Sequence, residues 1–201
     1  MLSGNMLKEV TSQPRLIARK NFFNFIHQWF EIQNLEGNVL IYTKMRAFKL
    51  KEDIRVLGPD KQTELLSIRA RQVLDFGATY DVTDTSSGEK LGALRRKGMK
   101  SLIKDEWLIL NANDEQIGLI TEDSGGLAIV RRLVGGLACL FAPQEHNGFI
   151  GQQKVLNFRQ TRNPFITKSF LDFSSDTGGT FDRRMGLAAA ILFSAIEGKQ
   201  N

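Results

Sequence analysis

The sequence predicts a mainly β fold, a closed antiparallel barrel of ten to twelve strands built from successive hairpins around a hydrophobic C-terminal helix. Three observations carry this prediction. Short runs of alternating apolar and polar residues recur in pairs, each pair joined by a Gly, Asn, Asp or Pro turn, the pattern of a half-buried β-hairpin. The pairs open at Phe30, Ile54, Tyr80 and Trp107, spaced by 24, 26 and 27 residues, an even interval that fits a barrel or repeat. The chain then ends in Gly186–Ile196 (GLAAAILFSAI), a stretch without a charge. A helix apolar all round must be buried, and a can of about eleven strands is wide enough to hold one.

Taken in order, Phe30–Gln33 turns at Leu35-Glu36-Gly37-Asn38 and returns through Val39–Tyr42. Ile54–Leu57 turns at Gly58-Pro59-Asp60 and returns as Leu66–Arg71. Tyr80–Thr83 turns at Thr85-Ser86-Ser87-Gly88 and returns through Leu91–Leu94. Trp107–Leu110 turns at Asn111-Ala112-Asn113-Asp114 and returns through Ile117–Ile120. A fifth hairpin runs from Glu145 to Phe158 around Gly151-Gln152-Gln153, and Phe165, Thr167, Ser169, Leu171 and Phe173 alternate as one more strand. Leu127, Val130, Leu133, Val134, Leu137 and Phe141 recur at helical spacing, and Pro143 closes that helix. Asp182 is placed to cap the start of the final helix and Gly198 its end.

No Pro- or Ser-rich linker interrupts the 201 residues, so they read as a single domain, 1–201, with residues 1–14 flexible. Hydrophobic residues at 42% and charged residues at 24% exclude a disordered or low-complexity chain. A single cysteine, Cys139, excludes an intramolecular disulfide and a multi-cysteine zinc site, and two histidines, His27 and His146, leave little histidine chemistry. The net charge of +5 fits an acidic partner without naming one. Met1–Lys20 holds no apolar run of signal-peptide length, so a cytoplasmic address is expected. Leu127–Ala142 is interrupted by Arg131 and Arg132, each costing roughly 2.5–3.5 kcal/mol at a bilayer centre. Gly186–Ile196 as a helix would reach only about 16 Å against about 30 Å of hydrocarbon, so it reads as core and not as a tail anchor.

Several stretches resemble the tubby C-terminal-like superfamily, nearest to its LURP-one-related and phospholipid scramblase-like branch. They are Tyr80-Asp81-Val82 with Asp84, the run Gly88–Lys97 (GEKLGALRRK), Ser101, Asp105-Glu106-Trp107, Ile117-Gly118 with Glu122-Asp123, Asn163-Pro164-Phe165, and Phe181–Ala188 (FDRRMGLA). The resemblance spans Phe30 to Gly198 and implies a twelve-stranded barrel around a C-terminal hydrophobic helix. Tubby-type members bind phosphoinositides through basic residues, scramblase members act at membranes and carry an acidic calcium segment before the last helix, and the plant LURP-one-related members are linked to defence. The tubby lipid-binding residues have no residue-by-residue match here.

The segment Asp172–Arg183 occupies the place of that calcium segment, with Asp172, Asp176 and Asp182 as carboxylates. Position twelve is Arg183 where an EF-type loop needs a bidentate carboxylate, so a strand end, Gly turn and helix cap are expected instead of a metal site. Nucleophilic catalysis would need Cys139 with His146, or a Ser with one of the two histidines and an orienting acid, and Cys139 lies in an apolar run. No Gly-x-Ser-x-Gly, P-loop or His-Glu-x-x-His pattern is present, so neither an enzyme nor a cofactor is expected. The strongest functional candidate is the basic cluster Lys90, Arg95, Arg96, Lys97, Lys100 and Lys104, a binding site for an anion or lipid headgroup. Asp105, Glu106, Asp114, Glu115, Glu122 and Asp123 follow directly, and cross-strand pairing of the two sets is the competing explanation. The aromatic and basic run Arg15–Phe30 suits either a barrel strand or plug, or a membrane interface. Arg183-Arg184 oppose the positive end of the last helix dipole, so Asp176 or Asp182 should offset them. The expected function is thus a scramblase-like barrel peripheral to anionic membrane phospholipid. The alternative is a structural or protein-interaction module with no lipid role. Nucleic acid is a poor fit, because no recognition motif accompanies the charge.

Overall fold

The alternating runs form twelve strands in the computed structural model, which describes residues 2–21, 27–46, 53–71, 77–97, 106–123, 144–161 and 168–197. They are β1 (Arg15–Asn21), β2 (His27–Gln33), β3 (Val39–Arg46), β4 (Asp53–Leu57), β5 (Glu64–Ala70), β6 (Thr79–Asp84), β7 (Lys90–Arg96), β8 (Glu106–Leu110), β9 (Gln116–Glu122), β10 (Gln144–Ile150), β11 (Gln153–Thr161) and β12 (Lys168–Asp172). Each strand pairs antiparallel with its neighbours in sequence, and β12 closes on β1 through Arg15↔Asp172, Ile17↔Phe170 and Arg19↔Lys168. The five predicted hairpins are all present, as β2–β3, β4–β5, β6–β7, β8–β9 and β10–β11.

Local chemistry sets the tight ends of these hairpins. In four of the turns one Asn or Asp oxygen accepts backbone N–H groups two to four residues ahead: Asn34 from Glu36 and Asn38, Asp60 from Gln62 and Thr63, Asp84 from Ser86, and Asn111 from Asn113 and Glu115. Such side chains replace backbone partners that a turn cannot supply. The pairing register shifts at the turn-proximal end of all five hairpins, at Ile32/Gln33, Val56/Leu57, Val82/Thr83, Ile109/Leu110 and Gly148/Phe149. A bulge bends its strand and increases twist, which helps a sheet curl round to meet its own edge.

Two helices are described, α1 (Leu2–Ser12) and α2 (Arg183–Glu197). α2 is the predicted apolar helix, and every residue from Met185 to Ala195 is buried. Its Phe193 ring meets Trp107 of β8, His146 of β10 and Phe158 of β11 at centroid distances of 5.3, 5.1 and 5.7 Å. The inward residues of the strands, such as Ile41, Val56, Ile68, Val82 and Ile109, are fully buried in the same core. Asp182 caps α2, its Oδ1 accepting the Arg184 N–H at 2.9 Å.

The N-terminus departs from expectation. Residues 1–14 are expected to be flexible, yet α1 forms there and buries Leu7 and Val10 in the barrel core. α1 packs on β3, β5 and α2, and Arg183 Nη1 donates to the carbonyls of Thr11 and Ser12 at 3.0 and 3.3 Å, occupying acceptors that a helix end leaves open. Two buried residues, Leu7 and Val10, are too sparse a periodicity to register in sequence. Arg15–Asn21 is a barrel strand, one of its two expected roles. The helix expected around Leu127–Phe141, the residues Phe165 and Thr167, and the cap Gly198 lie outside the described residues.

Candidate functional site

Most of the predicted basic cluster is engaged by its own neighbours. Lys90 Nζ lies 3.1 Å from Asp114 and 3.6 Å from Asp81, and Lys97 Nζ is 3.0 Å from Glu106 across the β7–β8 pair. Arg95 Nε donates to Thr79 Oγ1 at 3.1 Å. Arg96 turns inward, its guanidinium 5.8 Å from the centre of the buried Trp107 ring. Lys100 and Lys104 lie outside the described residues. Arg71 joins the same network through Asp81 and Asp114, and the hydrogen bonds from Arg71 and then Lys90 hold the Asp114 carboxyl down at about 2. The downstream carboxylates therefore take up Lys90 and Lys97.

The three carboxylates of the calcium-like segment each have a separate structural task. Asp176 accepts the backbone N–H of Thr180 and of Phe181, at 2.9 and 3.1 Å, and so ties the loop between β12 and α2. Asp182 holds Arg184, whose guanidinium also reaches Asp84 and Glu89, so the dipole-opposing charge is offset by three carboxylates, two of them from a distant hairpin. Asp172 pairs with Arg15. Among the described residues no group of three or more His, Cys, Asp or Glu side chains is arranged to hold a metal ion. His146 is buried against Phe193 and Phe158, walled off from solvent, while Cys139 lies outside the described residues.

The barrel closure assembles a site that the linear sequence conceals. On the outer face of β11, β12 and β1, alternation and register set Asn157, Arg159 and Thr161 beside Asp172, Phe170 and Lys168, and these beside Arg15, Ile17 and Arg19. Phe170 is the centre of this patch and 38% exposed. A groove of about 500 Å³ crosses it, lined by Arg15, Asn157, Arg159, Phe170 and Asp172, with Leu35 of the β2–β3 turn, 59% exposed, at its rim. A second groove of about 420 Å³ continues along Asn157 and Asp172 to Glu145, Lys154, Ser174 and Ser175. Two of the three exposed large hydrophobic residues among those described, Leu35 and Phe170, thus border one groove.

The charges here differ from those of the β7–β8 network. Arg19, Arg159 and Lys168 form no ion pair among the described residues, and only Arg15 is engaged, its Nε 2.9 Å from Asp172 Oδ2. Glu145 faces Arg159 across the ladder but its Oε1 accepts from Asn157 Nδ2 at 2.6 Å. Glu31 faces Arg19 across the β1–β2 ladder. Sequence reasoning missed this patch because its cations are spread one or two per strand. The available signal was the pair of triplets Arg15-x-Ile17-x-Arg19 and Lys168-x-Phe170-x-Asp172, whose outward side chains alternate with buried Leu16, Ala18, Ser169 and Leu171. Among the described residues no helix is long and apolar enough to cross a membrane. No family model, curated protein or solved structure matches the chain.

Proposed function

We propose that this chain is a non-catalytic binding barrel that associates peripherally with anionic phospholipid surfaces through the outer face of β11, β12 and β1. The observation that carries the proposal is the set of exposed cations Arg19, Arg159 and Lys168, without an ion pair among the described residues, around an exposed aromatic ring, Phe170. A membrane interface is attracted by such a set, because cations meet headgroup phosphates while an aromatic ring settles at the acyl boundary. The proposed site is thus a different face of the barrel from Lys90–Lys104, one whose cations form fewer ion pairs among the described residues. The barrel around an apolar C-terminal helix is also the architecture that the scramblase-like resemblance implies, and it supports that affiliation as a proposal.

Near an anionic surface each exposed Lys or Arg contributes about 1 kcal/mol, within a screening length of about 8–10 Å. Three such exposed cations therefore give roughly 3 kcal/mol, enough for weak, salt-sensitive docking. The test is flotation on vesicles of phosphatidylcholine with and without phosphatidylserine at two salt concentrations. The wild type should float with anionic vesicles only and be released by salt. Arg19→Glu with Arg159→Glu and Lys168→Glu should abolish flotation, while Arg95→Glu with Lys97→Glu should leave most of it. A wild type that fails to float at low salt favours the protein-interaction alternative, with an acidic partner meeting the same cations.

A further inference from the structure

We infer that Asp172 is a built-in counter-ion that sets the strength of this face, by neutralising Arg15 in the wall shared by the two grooves. The inference rests on the surface-docking function proposed above. Asp172 is the one carboxylate lining the larger groove, where it meets Arg15 and lies one strand from Arg159. Its two oxygens are committed to different partners: Oδ2 to Arg15 Nε at 2.9 Å and Oδ1 to the backbone N–H of Ser174 at 2.7 Å. The second bond anchors the carboxylate to the start of the β12–α2 connection, so it cannot swing away when an anion approaches. Partial burial raises the Asp172 carboxyl, but the Ser174 hydrogen bonds and the Arg15 charge outweigh it and keep the group below the usual carboxylate range. It therefore stays charged at neutral pH. An incoming phosphate meets at Arg159 a guanidinium with no ion pair among the described residues, and at Arg15 one whose charge is already opposed by the Asp172 carboxylate through Nε.

Removing the counter-ion should strengthen docking. Asp172→Asn keeps the shape and an oxygen for the Ser174 N–H, while it deletes one negative charge and releases Arg15. Binding to phosphatidylserine vesicles should rise on the order of fivefold, the equivalent of about 1 kcal/mol for one added cation at an anionic surface. Arg15→Gln breaks the same ion pair but removes the positive member, and should weaken binding by about the same factor. The double variant should return near the wild type. A purely structural ion pair would move both single variants the same way, through loss of folded protein, and thermal melts recorded alongside separate that effect. Asp81→Asn, which breaks a comparable surface ion pair half way round the barrel, should leave binding unchanged. Wild-type flotation with an unchanged or weakened Asp172→Asn overturns the counter-ion role alone. Failure of both the wild type and Asp172→Asn to float overturns the docking function with it, whereas flotation of Asp172→Asn alone shows the counter-ion closing the site completely.

Discussion

Asp176 shows how much one side chain can organise. It is almost fully buried, and its carboxylate collects the Thr180 N–H and hydroxyl together with the Phe181 N–H. Hydrogen bonds to a charged acceptor each contribute about 1.5–3 kcal/mol, and a buried donor left without one is costly. Asp176→Ala should therefore cost about 2 kcal/mol or more, read as a lower urea midpoint. Burial raises the Asp176 carboxyl, but the backbone hydrogen bonds overcome this and lower it from its ordinary 3.8. Because the folded value lies below the unfolded one, the stability it contributes is present above about pH 4 and is lost as pH falls below that. Asp84, Asp114 and Asp172 are lowered as well, so the acid limb of a melting-temperature profile should begin near pH 4 and continue towards the Asp114 value of about 2. Asp176→Asn should flatten part of that limb. A profile with its full acid slope retained would show that Asp176 does not titrate with folding.

At the scale of the element, α2 is the piece on which the barrel depends. Leu192 is completely buried, and an aspartate there would be an unpaired charge in the core. Leu192→Asp should leave no cooperative unfolding transition, whereas a helix lying outside the sheet would tolerate the change. Gly186 supplies a gentler test. A Cβ at this position would stand 2.5 Å from Phe173 Cε1 and 2.9 Å from Phe181 Cε1. Helix propensity favours alanine by about 1 kcal/mol, but overpacking costs about 1–3 kcal/mol. Gly186→Ala should thus be destabilising by denaturant titration despite the better helix former. A stabilised variant would mean that Phe173 and Phe181 can move aside.

For the whole molecule, the proposed function depends on the asymmetry between two faces of one barrel. The β7–β8 face has its charges in pairs, and the β11–β12–β1 face leaves cations beside an aromatic ring. The two parts of the docking interaction should separate experimentally. Phe170→Ala should weaken vesicle binding while the dependence on salt stays the same, because the apolar contribution carries no charge. Arg159→Gln should weaken binding and also flatten the salt dependence. Equal salt slopes for the two variants would argue against an aromatic anchor acting beside an electrostatic one.

The hairpins were legible because they are local. Alternation, turn chemistry and the even spacing from Phe30 to Trp107 are properties of adjacent residues, and a two-residue period assigns each side chain to a face without knowledge of the partner strand. The burial of Gly186–Ala195 was equally plain, since an uncharged helix too short for a bilayer has only a core to occupy. Lys90 and Arg95–Lys97 stood out for the same local reason, being dense in sequence, but density along the chain says nothing about what stands opposite. Cross-strand carboxylates removed much of that charge, as Asp114 does for Lys90 and Glu106 for Lys97. The docking face required the opposite operation. Arg15 and Asp172 are 157 residues apart and became neighbours only when β12 met β1. Where an interaction lies within one hairpin the chain itself brings the partners together, so sequence determines it. Where partners are joined by closure of the barrel, their meeting is set by packing of the whole sheet around α2, and only the tertiary structure decides it.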